Sequence, residues 1–211
     1  MSTRRLLVLS MLAFTLTACS AQTMQPNFEH NPHPKDAYKL RVVFKDLPGP
    51  LVLASASATY GISNLPCAVV SKHPTHANQP IAYSSFVMNK IAENTYEGMF
   101  YTDAMIDKDY FGNGICHWYL ESVGAAFTAS NAPRETVFSV SFPMMDTITH
   151  ESSEYMRGVH TTMYFAKMDY PRVKEIDDYP AFGEENRQKL DKLRDDELFQ
   201  AEVSLDKVTT P

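Results

Sequence analysis

Alternation of apolar and polar side chains is the feature that most limits what this chain can fold into. Between Tyr38 and Phe44 every second residue is aromatic or aliphatic, and Lys39 and Arg41 fall between them. A period of two residues places the two sets of side chains on opposite faces of an extended strand. The alternation therefore predicts a half-buried β-strand, followed by a turn at 46–50, where proline and glycine cluster.

The same period recurs along most of the chain. Cys116, Trp118 and Leu120 share one face, and this inward row predicts a core strand around the single tryptophan. Further strands are predicted at these segments: 51–60, 80–88, 95–101, 136–142 and 155–165. Short strands joined by turns indicate a mainly β fold. We expect an antiparallel β-sandwich of about seven to eight strands, with a β-barrel as the alternative.

A different pattern begins after Pro171. Residues 184–199 contain no glycine or proline and place leucines at nearly helical spacing among charged residues. This pattern predicts one C-terminal amphipathic helix. The segment from Phe199 to Leu205 then alternates again, so we expect the helix to give way to a short closing strand near Gln200.

The N-terminus has the order of an export signal. Arg4 and Arg5 precede an apolar run at 6–16, which is shorter than the roughly 20 residues that a spanning helix needs. The run ends in Leu16-Thr17-Ala18-Cys19, which resembles the lipobox of bacterial lipoproteins. The resemblance implies cleavage before Cys19 and acylation of that residue, with palmitate among the chains. An ordinary signal cleaved after Ala21 is the alternative.

Location and domain organisation follow from that resemblance. In the lipoprotein pattern an aspartate after the cysteine commonly retains the protein on the inner membrane, and here the residue is Ser20. This implies an outer-membrane lipid anchor, with the protein facing the periplasm or the cell surface. We expect a signal peptide at 1–18, a lipidated N-terminus and flexible tether at 19–36, and a single β-rich domain at 37–211.

The cysteine count fits an oxidising compartment. With Cys19 assigned to lipid, Cys67 and Cys116 remain as the only candidate pair, and we expect one structural disulfide between them. Neither lies in a C-x-x-C motif, so a redox or zinc role is disfavoured.

The charge of the chain limits its partners. With Arg4 and Arg5 removed from the 19 basic side chains, 17 remain against 25 acidic ones, a formal charge of −8. We therefore do not expect nucleic acid, which is also negatively charged, to be a partner. A basic protein would be attracted by this charge, although an acidic surface also serves ordinary solubility.

Acidic and aromatic residues concentrate in one stretch, which makes it the candidate partner-binding surface. Tyrosine and tryptophan are favoured interface anchors, and acidic neighbours suit a basic partner. A calcium loop is the alternative, but Phe111 and Trp118 stand where an EF-hand would place ligands, so we expect an ordinary turn and no metal site. The candidate residues are Asp107, Asp109, Tyr110, Phe111, His117 and Tyr119.

No catalytic signature accompanies these residues. The chain lacks G-x-S-x-G and H-E-x-x-H, and the histidine pairs His30/His33 and His73/His76 contain prolines typical of loops. We therefore expect neither enzymatic activity nor a cofactor. In general organisation the chain resembles immunity lipoproteins, which implies a protein-binding module that inhibits a periplasm-acting toxin. The alternative is a structural envelope lipoprotein, or one that binds a small ligand or calcium.

Overall fold

Ten β-strands account for about half of the described chain. The computed structural model describes residues 26–68, 79–144, 160–172 and 180–208. The strands are β1 (Ala37–Lys45), β2 (Val52–Ile62), β3 (Ala82–Ser85), β4 (Met88–Ala92), β5 (Thr95–Tyr101), β6 (Trp118–Thr128), β7 (Val137–Pro143), β8 (His160–Ala166), β9 (Pro180–Phe182) and β10 (Leu198–Lys207).

The described strands form two five-stranded sheets. The first sheet has the order β4-β5-β1-β10-β8, and the second has the order β3-β2-β6-β7-β9. Neighbouring strands are antiparallel except β7 and β9, which are parallel. The predicted sandwich is confirmed, and the described strands do not close into the alternative barrel.

The core lies between the sheets and is built by the alternation seen in the sequence. In β1 the residues Leu40 and Val42 are fully buried, and their neighbours Lys39 and Arg41 are partly exposed. Phe127 of β6 is also fully buried, with its ring centroid 4.8 Å from that of Phe44. Burying a side chain of this kind contributes roughly 1.5–3 kcal/mol, which makes this contact between the sheets a major source of stability.

The predicted C-terminal helix is wrong. Residues 184–199 contain two short 3-10 turns, Arg187–Leu190 and Asp195–Glu197, before β10 begins at Leu198. The Arg187 guanidinium donates to the carbonyl oxygens of Leu190 at 2.6 Å and Leu193 at 2.7 Å, and so takes acceptors that a continuing helix would use. Leu198 and Phe199 are then buried as strand residues, because the first sheet accepts them on its inner face.

The described part of the predicted tether lies against the sandwich. Residues 26–36, here called the strap, run beside residues 102–106. The backbone N–H of Asn31 donates to the carbonyl of Ala104 at 2.8 Å, and the Asp103 carboxylate accepts the backbone N–H of Lys35 at 2.9 Å. Residues 1–25, which include the predicted signal peptide and Cys19, lie outside the described residues.

The predicted disulfide joins Cys67 and Cys116. Their Cα atoms are 5.3 Å apart, and the bond closes a loop between residues 49 positions apart. It fixes the 3-10 turn Leu65–Ala68 to the chain that enters β6. Both cysteines are buried beside Ile62, so the bond is part of a small second core at this end of the sandwich.

Candidate functional site

Asp109 holds its own turn together. Its carboxylate accepts backbone N–H groups from Gly112 at 2.6 Å, Asn113 at 3.2 Å and Phe111 at 3.3 Å. Gly112 and Gly114 adopt φ of +78° and +100°, which glycine allows at little cost. Partial desolvation works against the charged form, but these backbone donors prevail and hold the pKa of Asp109 below its usual range. The carboxylate is thus engaged within the turn.

Tyr110 and Phe111 belong to an aromatic cluster, here called the aromatic corner, that also contains Phe28 and Trp118. Phe28 comes from the strap, and its ring lies 4.8 Å from Trp118 and 5.2 Å from Tyr110, both edge-on. The Tyr110 hydroxyl donates to the carbonyl of Ile106 at 2.7 Å. Edge-on aromatic pairs add roughly 0.5–1.5 kcal/mol beyond burial, so these rings fasten the strap to the sandwich.

Asp107 and His117 form an exposed hydrogen-bonded pair. The Asp107 Oδ2 atom lies 2.7 Å from His117 Nδ1, and its Oδ1 atom accepts the backbone N–H of Trp118 at 2.9 Å. Ser63 is close, but its hydroxyl donates to the backbone carbonyl of His117 at 3.2 Å. A serine hydrolase needs that hydroxyl on the imidazole, so the three residues do not form a catalytic triad in this arrangement.

Tyr119 lies apart from the other candidate residues. It follows Trp118 in β6, and so its side chain points to the outer face of the second sheet. Its ring covers Gly61 of β2, where an added Cβ would be only 2.8 Å from the Tyr119 hydroxyl oxygen. Burial raises the pKa of Tyr119, although a hydrogen bond with Gln79 opposes the effect. The structure therefore gathers five of the six candidates at one end and separates Tyr119 from them.

The nearby carboxylates do not converge. Asp103 accepts backbone N–H groups of the strap, Asp107 pairs with His117, and Asp109 caps its turn. Within the described ranges, no group of three histidine, cysteine or acidic side chains is placed to hold a metal ion. The second histidine pair, at 73–76, lies outside those ranges.

The outer face of the second sheet is a surface that the sequence reasoning missed. Antiparallel register places Ser57 of β2 opposite Gly124 of β6, which lies opposite Ser141 of β7. These residues and their neighbours line a shallow groove of about 210 Å³. We call the surface the hydroxyl face and define it by Ser55, Ser57, Thr59, Ser122, Gly124, Ala126, Ser139 and Ser141.

Exposed aromatic side chains flank the hydroxyl face. Tyr83 on β3 is 64% exposed, and it pairs with Thr59 on the neighbouring strand. Phe182 on β9 is 71% exposed and pairs with Ser139 on the opposite side of the face. The result is a flat, uncharged centre between two large apolar side chains.

The outer face of the first sheet has the opposite character. Arg41 on β1 lies 2.7 Å from Glu97 on β5, and Lys39 lies 3.8 Å from the same carboxylate. Lys45 and Glu202 form a further ion pair between β1 and β10. This charged face is what solvent exposure favours, so the lack of charge on the hydroxyl face distinguishes it. Alternation in the sequence can place the serines on one face of each strand. Only the pairing of β2, β6 and β7 shows that the three strands bring these serines together.

A cleft opens between the two sheets beside the strap. Its volume is about 240 Å³, and its apolar wall includes Phe86 and Phe100. His30 of the strap and Ser84 of β3 line it as well. Tyr60 lies at its floor, where burial raises the pKa of the hydroxyl and that hydroxyl donates to the carbonyl of Tyr101. This volume is below the roughly 300–1,000 Å³ of sites for drug-sized ligands, so only a smaller molecule would fit.

The described residues include no helix that could span a membrane, and the chain matches no known protein. Among the described residues, none of the helical segments is long and apolar enough to cross a bilayer. No protein-family model matches the chain, and neither a curated protein nor a solved structure has significant similarity to it. No function is therefore transferred from a relative.

Proposed function

We propose that this chain is a lipid-anchored protein of the bacterial outer membrane whose sandwich binds a protein partner without catalysis. The lipobox at 16–19 supports the anchor, and the hydroxyl face is the observation that supports the binding role. In its more specific form, the proposal is an immunity or inhibitor protein that neutralises a toxin acting in the periplasm.

The chemistry of the hydroxyl face suits a protein interface. Interface centres are depleted of charged side chains, because a buried charge must be desolvated. Tyr83 and Phe182 are of the type that supplies large contact area with little loss of rotamer freedom. Between them, Ser57 and Ser141 can each donate and accept hydrogen bonds, as the serines of antibody-binding loops do.

The charge of the mature chain supports a basic partner. A formal charge of −8 attracts cations over distances comparable with the Debye length, about 8 Å at physiological salt. Attraction of this kind raises the association rate more than it slows dissociation. The candidate residues at the aromatic corner, with the exposed pair Asp107 and His117, stay a predicted second contact surface.

The experiment is binding of the mature, lipidated chain in detergent to proteins of the periplasm and of competing strains. The native chain is compared with Ser57→Lys/Ser141→Lys, which puts two charges on the hydroxyl face. The matched control is Thr162→Lys on β8, on the outer face of the first sheet. A single stoichiometric partner that the control retains and the double variant loses at least tenfold supports the proposal. No partner, or equal binding by all three chains, contradicts it.

The inter-sheet cleft favours a second candidate function, in which the protein binds a small apolar ligand. A ligand that binds only the folded state raises the melting temperature, and the increase grows with the logarithm of the ligand concentration relative to its dissociation constant. Ser84→Trp would fill the cleft, so we expect a stabilising ligand to lose its effect in that variant. A ligand that shifts both chains equally binds elsewhere and excludes this function for the cleft.

A further inference from the structure

The strap fixes how far the sandwich can lie from a lipid on Cys19. Pro26, where the described chain begins, is seven residues from Cys19, and seven residues span at most about 25 Å when fully extended. Two residues later, Phe28 is packed into the aromatic corner. Ile62, at the end of β2, pairs with Trp118, so the aromatic corner lies at this end of the sandwich. Since Phe28 packs there, this is the end of the sandwich nearest to the anchor.

The same end carries two exposed aliphatic side chains on adjacent loops. Leu65 is 42% exposed and Ile115 is 55% exposed. The Asn64 side chain donates to the carbonyl of Ile115 at 2.8 Å. Cys116, the residue after Ile115, forms the disulfide with Cys67 and so joins the two loops. Since the loops are held together, both side chains are presented without much conformational entropy to lose.

Three of the acidic side chains described at this end have local partners. Glu29 is paired with Lys108, Asp109 is engaged by backbone N–H groups, and Asp107 is hydrogen bonded to His117. The mature chain as a whole is still acidic, so zwitterionic lipids are better partners than anionic lipids. Aliphatic side chains beside tryptophan and tyrosine suit the boundary between headgroups and acyl chains.

We infer that this end of the sandwich, with Leu65 and Ile115 at its tip, docks on the surface of a zwitterionic phospholipid bilayer. The inference rests on the proposed anchor at Cys19. Two aliphatic side chains are too few to hold a free protein on a bilayer, where even one myristoyl chain binds only marginally. A short tether raises their effective concentration at the surface to the millimolar range, so weak contacts become populated.

Trp118 is the only tryptophan, and it reports on this end of the sandwich. In the test, the mature chain is coupled through Cys19 to a maleimide phospholipid, because Cys67 and Cys116 are bonded to each other. The coupled chain is inserted into phosphatidylcholine vesicles whose acyl chains are brominated near the headgroup. We expect roughly twofold lower Trp118 emission than in vesicles without bromine.

The variant is Leu65→Ser/Ile115→Ser, which removes the aliphatic contacts but leaves the tether. The matched control is Ile91→Ser/Met168→Ser, two exposed apolar residues toward the opposite end of the sandwich. Quenching that the first variant loses and the control keeps supports docking. Unquenched native chain, or equal quenching in all three chains, overturns it. Chemical coupling makes this result independent of acylation in cells, which the mass of the protein isolated from membranes measures separately.

Discussion

The Asp36 carboxylate lies 2.7 Å from the ammonium of Lys207 and joins the start of β1 to the end of β10. The Thr102 hydroxyl donates to the second carboxylate oxygen. Hydrogen bonds from Lys207 and from Thr102 hold the pKa of Asp36 below its usual range, although partial burial opposes them. The pair thus fastens the two central strands of the first sheet where the strap enters it.

Asp36→Asn should make the protein less stable at neutral pH. A lowered folded-state pKa means that Asp36 contributes stability above its unfolded pKa of about 3.9, and that this is lost as pH falls through the folded value. Because the side chain is 39% exposed, screening limits the loss to less than about 1 kcal/mol. Urea unfolding of both chains from pH 3 to pH 7 measures it. A difference that grows toward pH 3 would contradict the assignment.

Replacing both bonded cysteines, Cys67→Ser/Cys116→Ser, should cost about 2–4 kcal/mol of unfolding free energy. On the chain-entropy interpretation, the open loop gives the unfolded chain more freedom. Urea unfolding of the oxidised native chain and of the double variant gives the difference, and the reduced native chain serves as the control. A loss below about 0.5 kcal/mol would mean that the bond is dispensable.

Phe127→Ala should cost about 3–5 kcal/mol, because it leaves a cavity against Phe44 and Tyr96. Phe182→Ala makes the same chemical change at a side chain that is 71% exposed, and should cost less than about 0.5 kcal/mol. Thermal and urea unfolding of the two variants compare them directly. Similar losses in both variants would argue against the assigned core.

Gly124→Ala should destabilise the sandwich, although alanine normally suits an extended strand better than glycine does. A Cβ at this position would lie 2.5 Å from the Val140 carbonyl oxygen on β7, and a backbone atom cannot swing aside as a side chain can. We expect a loss of about 1–3 kcal/mol in urea unfolding. Unchanged stability would show that β6 and β7 are further apart than described.

Asp109→Ala should loosen the turn at 109–114 without unfolding the sandwich. Amide hydrogen exchange at Gly112 and Asn113 should become roughly tenfold faster, because their acceptor is lost. Asp109→Asn keeps a side-chain oxygen, so its exchange rates should fall between those of the native chain and those of Asp109→Ala. Faster exchange spread over β6 would instead indicate a wider structural role.

Period-two alternation predicted most of the sandwich, because burial on one face of a strand is a local signal. The strands at 37–45, 52–62, 95–101 and 137–143 fall close to their predicted positions. The helix predicted at 184–199 was wrong because leucine spacing cannot show that the Arg187 side chain binds the carbonyl groups of Leu190 and Leu193. Tertiary context overrode helix propensity there.

The candidate site was only partly accessible from the sequence. The candidate residues between Asp107 and His117 were predicted because they are clustered in the sequence. Asp107 and His117 do meet at one end of the sandwich. The hydroxyl face depends on the pairing of β2, β6 and β7, which no local pattern encodes. The strap was missed because its prolines suit an extended chain equally well whether it packs or not.

The placement of β10 between β1 and β8 governs when the fold can be completed. A chain that emerges N-terminus first can pair β1 with β5 early, but the middle of the first sheet stays open until Leu198–Lys207 is available. Pairing across so much of the sequence is slow and cooperative. The nascent polypeptide therefore remains incompletely folded until β10 has been synthesised, and the proposed export would require such an unfolded state.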